Sequence, residues 1–388
     1  MVSLLLAVIY LAFIGLGLPD SLLGAAWPVM HVQLAAPLSF AGAISMIISG
    51  GTILSSLLSD RLTRRFGPGP VTAVSTAMTA AALFGFSASS SVWMLCLWAI
   101  PYGLGAGAID AALNNYVALH YNSRQMSWLH CFWGVGASIS PYIMGFCLTA
   151  TGRWQTGYQT VGAIQIALTA ALFLSLPLWQ GREKARETGA ADDRPLGLRG
   201  ALKLRGVPEI LLAFFAYCGA ETSAGLWASS YLVTGRGVDP ETAARFAALF
   251  YLGITAGRFL NGFVADKMGD RRMIRVGLAV MGAAALLILL PTGVRTLALA
   301  GLLLFGFGCA PVYPSVIHST PAHFGKENSQ AVIGIQMAGA YAGSTLMPPL
   351  FGLLANAVSV RLYPVWLLLM LALLAGMTER VNRLCESN

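Results

Sequence analysis

A chain of 388 residues that is 56% hydrophobic and only 10% charged is not built like a soluble domain, in which about a quarter of residues are charged. The formal net charge of +8 does not point to nucleic acid, because the basic residues lie in short loops beside apolar runs, where they set membrane topology. Six cysteines (Cys96, Cys131, Cys147, Cys218, Cys309 and Cys385) are scattered without C-x-x-C or metal-ligand spacing. They read as small packing residues, and neither disulfides nor a bound metal are expected.

The first apolar run begins at Val2 with no basic residues before it and reaches about Met30 with no A-x-A-like site. It is too long for a cleaved signal and reads as a first membrane helix. A spanning helix needs about 20 mostly apolar residues. Twelve segments meet that requirement: 3–30, 40–59, 70–89, 92–119, 127–150, 158–180, 207–234, 242–265, 273–291, 295–318, 328–356 and 360–379. The expected fold class is therefore all-α and integral to the membrane, with no room for a soluble domain. With the N-terminus inside, the inner loops and C-terminal tail hold 18 Lys and Arg residues against 5 in the outer loops. That asymmetry predicts both termini in the cytoplasm, and hence a cell-membrane (inner-membrane) location.

The longest polar stretch, GREKARETGAADDRPLGLRGALKLRG at 181–206, falls between the sixth and seventh spans. It predicts a bundle over 1–180, a cytoplasmic linker over 181–206 and a second bundle over 207–388. The two halves resemble each other. SLLSDRLTRRFG around Asp60 follows the second span, and NGFVADKMGDRR around Asp266 follows the eighth, 206 residues later. Gly136, Pro141 and Gly145 in the fifth span recur as Gly343, Pro348 and Gly352 in the eleventh, 207 residues later. Such a duplication is a transporter architecture, with the solute site expected near the midplane between the repeats.

The loop Gly262-x-x-x-Asp266-Lys267-x-Gly269-x-Arg271-Arg272 resembles the loop signature of the major facilitator superfamily. The first-half copy is degenerate: Asp60, Arg61, Arg64 and Arg65 are present, but Gly67 is displaced. The resemblance spans the whole chain. It implies that these loops brace the inward gate and that the chain forms two six-helix bundles, usually as a monomer.

Away from the span ends, four charged residues remain: Asp20, Asp110, Glu221 and Arg258. A charge at the bilayer centre costs about 2.5–3.5 kcal/mol on insertion scales, so such residues face a cavity or a partner. The acids fall in spans one, four and seven, which in this superfamily line the cavity. Removal from water favours a neutral carboxyl group, so a cavity acid can carry a proton in one state and release it in another. Asp110, Asp20 and Glu221 are the proton-coupling candidates. Two competing structural roles are open: Asp20, after Pro19, could cap a helix break, and Glu221 could pair with Arg258, the latter reading as structural.

Four segments resemble the fucose permease branch, the L-fucose/proton symporters: GLPD ending at Asp20, AIDAALNNYV around Asp110, GAETSAGLWASSYLV with the later GRFLNG, and VYPSVIHS with Tyr313. SWLHCFWGVGASISP also resembles related sodium- or proton-coupled glucose carriers. That branch has a glutamate where Asp110 stands, an asparagine at Gly17 and a glutamine at His130. A hexose, deoxyhexose or polyol other than fucose is thus the expected solute. Amides, carboxylates and imidazole suit hydroxyl edges, and aromatic rings suit the apolar face of a sugar. His130, Asn114, Trp133, Trp227, Tyr313 and Gln336 are the candidate solute residues, each with helix packing as the alternative. No cofactor is expected, since no nucleotide motif follows a strand. The coupling ion is expected to be H+, with Na+ as the alternative. A drug/proton antiporter of the same fold and a non-transporting sugar receptor are the other functional readings. No nucleophile–base arrangement suggests an enzyme.

Overall fold

The computed structural model describes residues 4–37, 40–187, 197–238, 240–290 and 295–386. Residues 188–196 of the expected linker lie outside them. All regular elements among the described residues are helical. In chain order they are α1 (Leu4–Asp20), α2 (Leu22–Gln33), α3 (Phe40–Phe66), α4 (Pro68–Ala88), α5 (Val92–His120), α6 (Ser123–Thr151), α7 (Trp154–Glu187), α8 (Gly197–Lys203), α9 (Val207–Ser230), α10 (Pro240–Met268), α11 (Asp270–Leu289), α12 (Arg295–Phe324), α13 (Ser329–Ala357) and α14 (Tyr363–Glu386). The first span is interrupted at Ser21, just after Pro19, so α1 and α2 share it. Helix α7 continues past the expected bundle end at 180 to Glu187. A π-helical turn, Tyr231–Gly235, prolongs α9. Among the described residues, 10 helical stretches are long and apolar enough to cross a membrane. Helices α10 and α13, of 29 residues each, bring the long elements to the expected twelve.

The chain forms two compact units. One comprises Met1–Tyr116 and Leu129–Gly197, the other Val117–Trp128 and Leu198–Asn388. The short stretch 117–128, which comes from the first half of the chain, therefore groups with the second unit. In the first unit α7 packs on α4 and α1, and in the second α9 packs on α13 and α14 while α12 packs on α10 and α11.

Helices in lipid gain little from burying apolar surface against one another, so they associate by close backbone approach at small residues. The two units use the same positions for this. A Cβ at Gly136 of α6 would fall on the backbone oxygen of Ile14 in α1, and one at Gly343 of α13 on that of Phe215 in α9. Likewise Gly103 of α5 meets the Ile48 oxygen in α3, and Gly306 of α12 meets the Phe250 oxygen in α10. The junctions after α3 and α10 also match. Gly67 has φ 82° and Gly269 has φ 75°, a left-handed region that glycine enters without Cβ strain. Asp60 lies seven residues before its glycine and Asp266 only three. The difference is about one helical turn, which is the physical content of the displaced glycine in the first-half loop.

Replacing Gly136 or Gly343 with valine is expected to destabilise the protein by about 1–3 kcal/mol or more, because backbone rather than a flexible side chain must move. Gly145→Val, where nothing lies within 4 Å of the added carbon, is the control. Thermal unfolding of the three variants in detergent checks the order.

Candidate functional site

In the first unit, α5 carries Asp110 and Asn114 one turn apart, so both project from one face. Asn114 Nδ2 donates to Asp110 Oδ1 at 2.7 Å and to the Asp110 carbonyl at 3.0 Å. Asn114 Oδ1 lies 3.0 Å from His130 Nε2 on α6. An amide oxygen only accepts, so Nε2 is the donor in that contact. The three side chains form a continuous polar chain, and they are buried: Asp110 is 5% exposed, Asn114 0% and His130 5%. Phe13 of α1 stands edge-on to the imidazole, with ring centres 5.5 Å apart.

One turn along α6 from His130, Trp133 serves a second acid. Its Nε1 donates to Asp20 Oδ2 at 2.9 Å, and the Tyr102 hydroxyl of α5 donates to Asp20 Oδ1 at 3.0 Å. Both oxygens of Asp20 thus go to other helices. At the helix interruption the Ser21 side chain makes no capping hydrogen bond. Asp20 itself is exposed, a carboxylate held from two sides by neutral donors beside two aromatic rings.

In the second unit, Glu221 of α9 accepts a hydrogen bond from Tyr217, one turn earlier on the same helix. The Tyr217 hydroxyl also lies 2.9 Å from the Cys309 carbonyl of α12. Arg258 Nη2 of α10 is 3.7 Å from Glu221 Oε2, and the arginine side chain is only 4% exposed. The pairing open to these two residues is present. Tyr313 packs against Phe214 and Tyr217, with ring centres 4.8 and 6.0 Å away, and its hydroxyl meets Met337 Sδ at 3.2 Å. Gln336 is fully buried and accepts from the Thr320 hydroxyl at 3.1 Å. Trp227 donates to the Pro348 carbonyl at 2.9 Å and packs on Phe351. Trp227 and Gln336 each contact a neighbouring helix, Trp227 also lining a cavity with Ser230, Thr234 and Asn356, whereas Tyr313 adjoins the Tyr217–Glu221–Arg258 group.

The loop residues do two different things. Asp60 is buried and accepts from Arg64 Nε at 2.9 Å, while Arg61 is exposed. Asp266 instead receives the 117–128 stretch: the Arg124 amide donates to its Oδ1 at 3.0 Å, and Arg124 Nε lies 3.4 Å from Oδ2. The same Nε donates to the Gly262 carbonyl at 3.0 Å. The Trp128 indole lies over Gly262, where any side chain would meet it, and donates to the Phe259 carbonyl at 3.3 Å. Lys267, Arg271 and Arg272 are exposed. The residues that sequence reasoning passed over are Tyr102 and Tyr217, each of which holds a membrane-embedded acid.

Twelve long helical stretches among the described residues, in two units with matching glycine crossings, and acids placed within apolar spans, have the architecture of an integral membrane carrier of a small solute. The chain belongs to the Major Facilitator Superfamily, whose family model matches residues 9–247 and 210–378. It is a transporter rather than an enzyme, as the members of that family are. Its fold matches that of FucP, a fucose:proton symporter of E. coli, with TM-scores of 0.80 and 0.78 in two crystal structures at 16% and 15% identity, covering 97% of this chain and 98% of that one. Bypass of stop codon protein 6 of Saccharomyces cerevisiae is 22% identical over 93% of this chain and 79% of that protein. The glucose/mannose transporter GlcP of Bacillus subtilis is 23% identical over 78% of this chain and 76% of that protein.

Replacing Glu221 takes the acidic partner from the buried Arg258 guanidinium. Glu221→Gln is expected to cost about 1–3 kcal/mol, whereas Glu221→Gln combined with Arg258→Met recovers most of it, because a buried ion pair often exchanges for apolar packing at little cost. Thermal unfolding of the single and double variants measures this.

Proposed function

We propose that the chain carries a small sugar, a hexose, deoxyhexose or related polyol, by alternating access, and that it does so as a proton symporter. The observation that carries this reading is the buried Asp110–Asn114–His130 chain. Carboxylate, amide and imidazole offer both acceptors and donors, which is what the hydroxyl edge of a sugar requires. Asp20, exposed and flanked by Trp133 and Tyr102, adds an acceptor next to aromatic faces suited to the apolar side of a sugar ring. The names of two similar proteins, a fucose:proton symporter and a glucose/mannose transporter, agree with it. Gly17, Asp110 and His130 depart from the fucose permease pattern, which favours a sugar other than fucose.

In this reading Asp110 is the proton carrier. Protonated, it is neutral and can remain in the low-dielectric interior while the solute is carried; ionised, it needs a hydrated or hydrogen-bonded state. Asp20 is the second candidate. Glu221, engaged by Arg258, has a structural role. The distribution of Lys and Arg supports placing both termini in the cytoplasm of a cell-membrane protein, working as a monomer.

The test is a thermal-shift panel of hexoses, deoxyhexoses and polyols on the purified protein. A binding sugar at a hundredfold excess over its Kd is expected to stabilise the folded state by about 2.7 kcal/mol. Asn114→Ala and His130→Ala are expected to keep the fold and lose most of that shift. A panel without any shift, alongside stabilisation by lipophilic cations, would replace this reading with a drug/proton antiporter.

A further inference from the structure

His318 lies on α12, and the Asp110 chain described above does not involve it. Its ring is surrounded by acceptors. Nδ1 is 2.6 Å from Asp270 Oδ2 and 3.0 Å from Ser123 Oγ, and Nε2 is 3.1 Å from the Tyr121 carbonyl. The Ser123 hydroxyl donates to the other oxygen of Asp270 at 2.7 Å, so its proton is committed. A carbonyl can only accept, hence Nε2 must donate. A carboxylate and a hydroxyl whose proton points elsewhere can only accept, hence Nδ1 must donate as well. Only the imidazolium has both donors; either neutral tautomer turns a lone pair towards an oxygen.

We propose that His318 is a proton-binding site in its own right, and that its proton fastens the 117–128 stretch to α11 and α12 within the second unit. Tyr121 and Ser123 belong to that stretch, and Asp270 opens α11. The neighbouring charges are consistent with this. Asp266 on α10 is occupied by Arg124 of α6, leaving Asp270 as the carboxylate for the imidazolium. Lys267 on α10 and Arg271 on α11 are exposed, and His323 lies beyond His318 on the same helix. The fastening is complete while the ring is protonated. It is lost as pH rises through the titration of His318, because a contact that favours the charged form is withdrawn with the proton. A carrier whose cycle undoes the contacts of 117–128 would thereby release or take up one proton at this point. The inference stands on this cluster alone and holds whatever the solute is.

The experiment uses the full chain in lipid nanodiscs and needs no solute. The protein has five histidines, so the imidazole 15N signals of His318 can be assigned by their loss in His318→Gln. At pH 6 both nitrogens are expected to give imidazolium shifts, and in Asp270→Asn at the same pH the ring is expected to be neutral. Hydrogen exchange of the 117–128 amides, corrected for the intrinsic pH dependence, is expected to be about tenfold or more faster at pH 9 than at pH 6 in the wild type. In His318→Gln it is expected to be fast at both. A neutral His318 at pH 6 would overturn the proposal, as would equal protection of 117–128 in wild type and His318→Gln. Should His318→Gln fail to fold, Asp270→Asn serves for both readouts with the same opposing outcomes.

Discussion

The hydrocarbon of a bilayer offers no water to a polar group, so each one inside it must find a partner in the protein or line a wetted cavity. Helices satisfy the backbone, and named side chains meet each of the three acids. Asp110 is met by Asn114, which passes the hydrogen bond on to His130. Asp20 is met by Tyr102 and Trp133, and Glu221 by Tyr217 and Arg258. The choice of partner differs between the acids. Asp110 and Asp20 accept from neutral donors, whereas Glu221 stands beside a buried guanidinium.

The duplicated architecture makes that divergence visible. The offset of 201 that relates Ile14 to Phe215 at the glycine crossings also relates Asp20 to Glu221. Both acids receive a tyrosine hydroxyl, from Tyr102 in one unit and Tyr217 in the other. The first unit completes the site with an indole, the second with an arginine. At the offset of 203 that relates Gly103 to Gly306, Asp110 corresponds to Tyr313, so the polar chain of the first unit is answered in the second by an aromatic group. Backbone geometry repeats because close helix approach admits only glycine at those points; side-chain chemistry is free to differ.

Much of the fold could be read in the sequence. Span length, the recurring glycines and the Gly262–Arg272 loop depend on local composition and spacing, and these carry directly into helices and crossings. The Asp110–Asn114 pair was legible because i, i+4 spacing fixes a shared face. Contacts between helices were harder to read. Tyr102 lies 82 residues from Asp20, and a tyrosine inside a span has no sequence mark that separates a donor from packing. The partners of Trp227 and Gln336, the Pro348 carbonyl and the Thr320 hydroxyl, depend on helix rotation, which no periodicity fixes in an all-round apolar segment. The grouping of 117–128 with the second unit also depends on tertiary contacts. His318 sits within VYPSVIHS, yet its meaning comes only from Asp270, Ser123 and Tyr121 around it.

The central claim is that the Asp110 carboxyl couples a proton to solute movement. The most direct measurement is uptake of a sugar identified by binding, in proteoliposomes with an imposed acid-outside pH gradient, comparing wild type with Asp110→Asn. The account predicts that the wild type concentrates the sugar and stops doing so when the gradient is collapsed, while Asp110→Asn binds but does not concentrate it. Accumulation by Asp110→Asn equal to that of the wild type under the same gradient would contradict it.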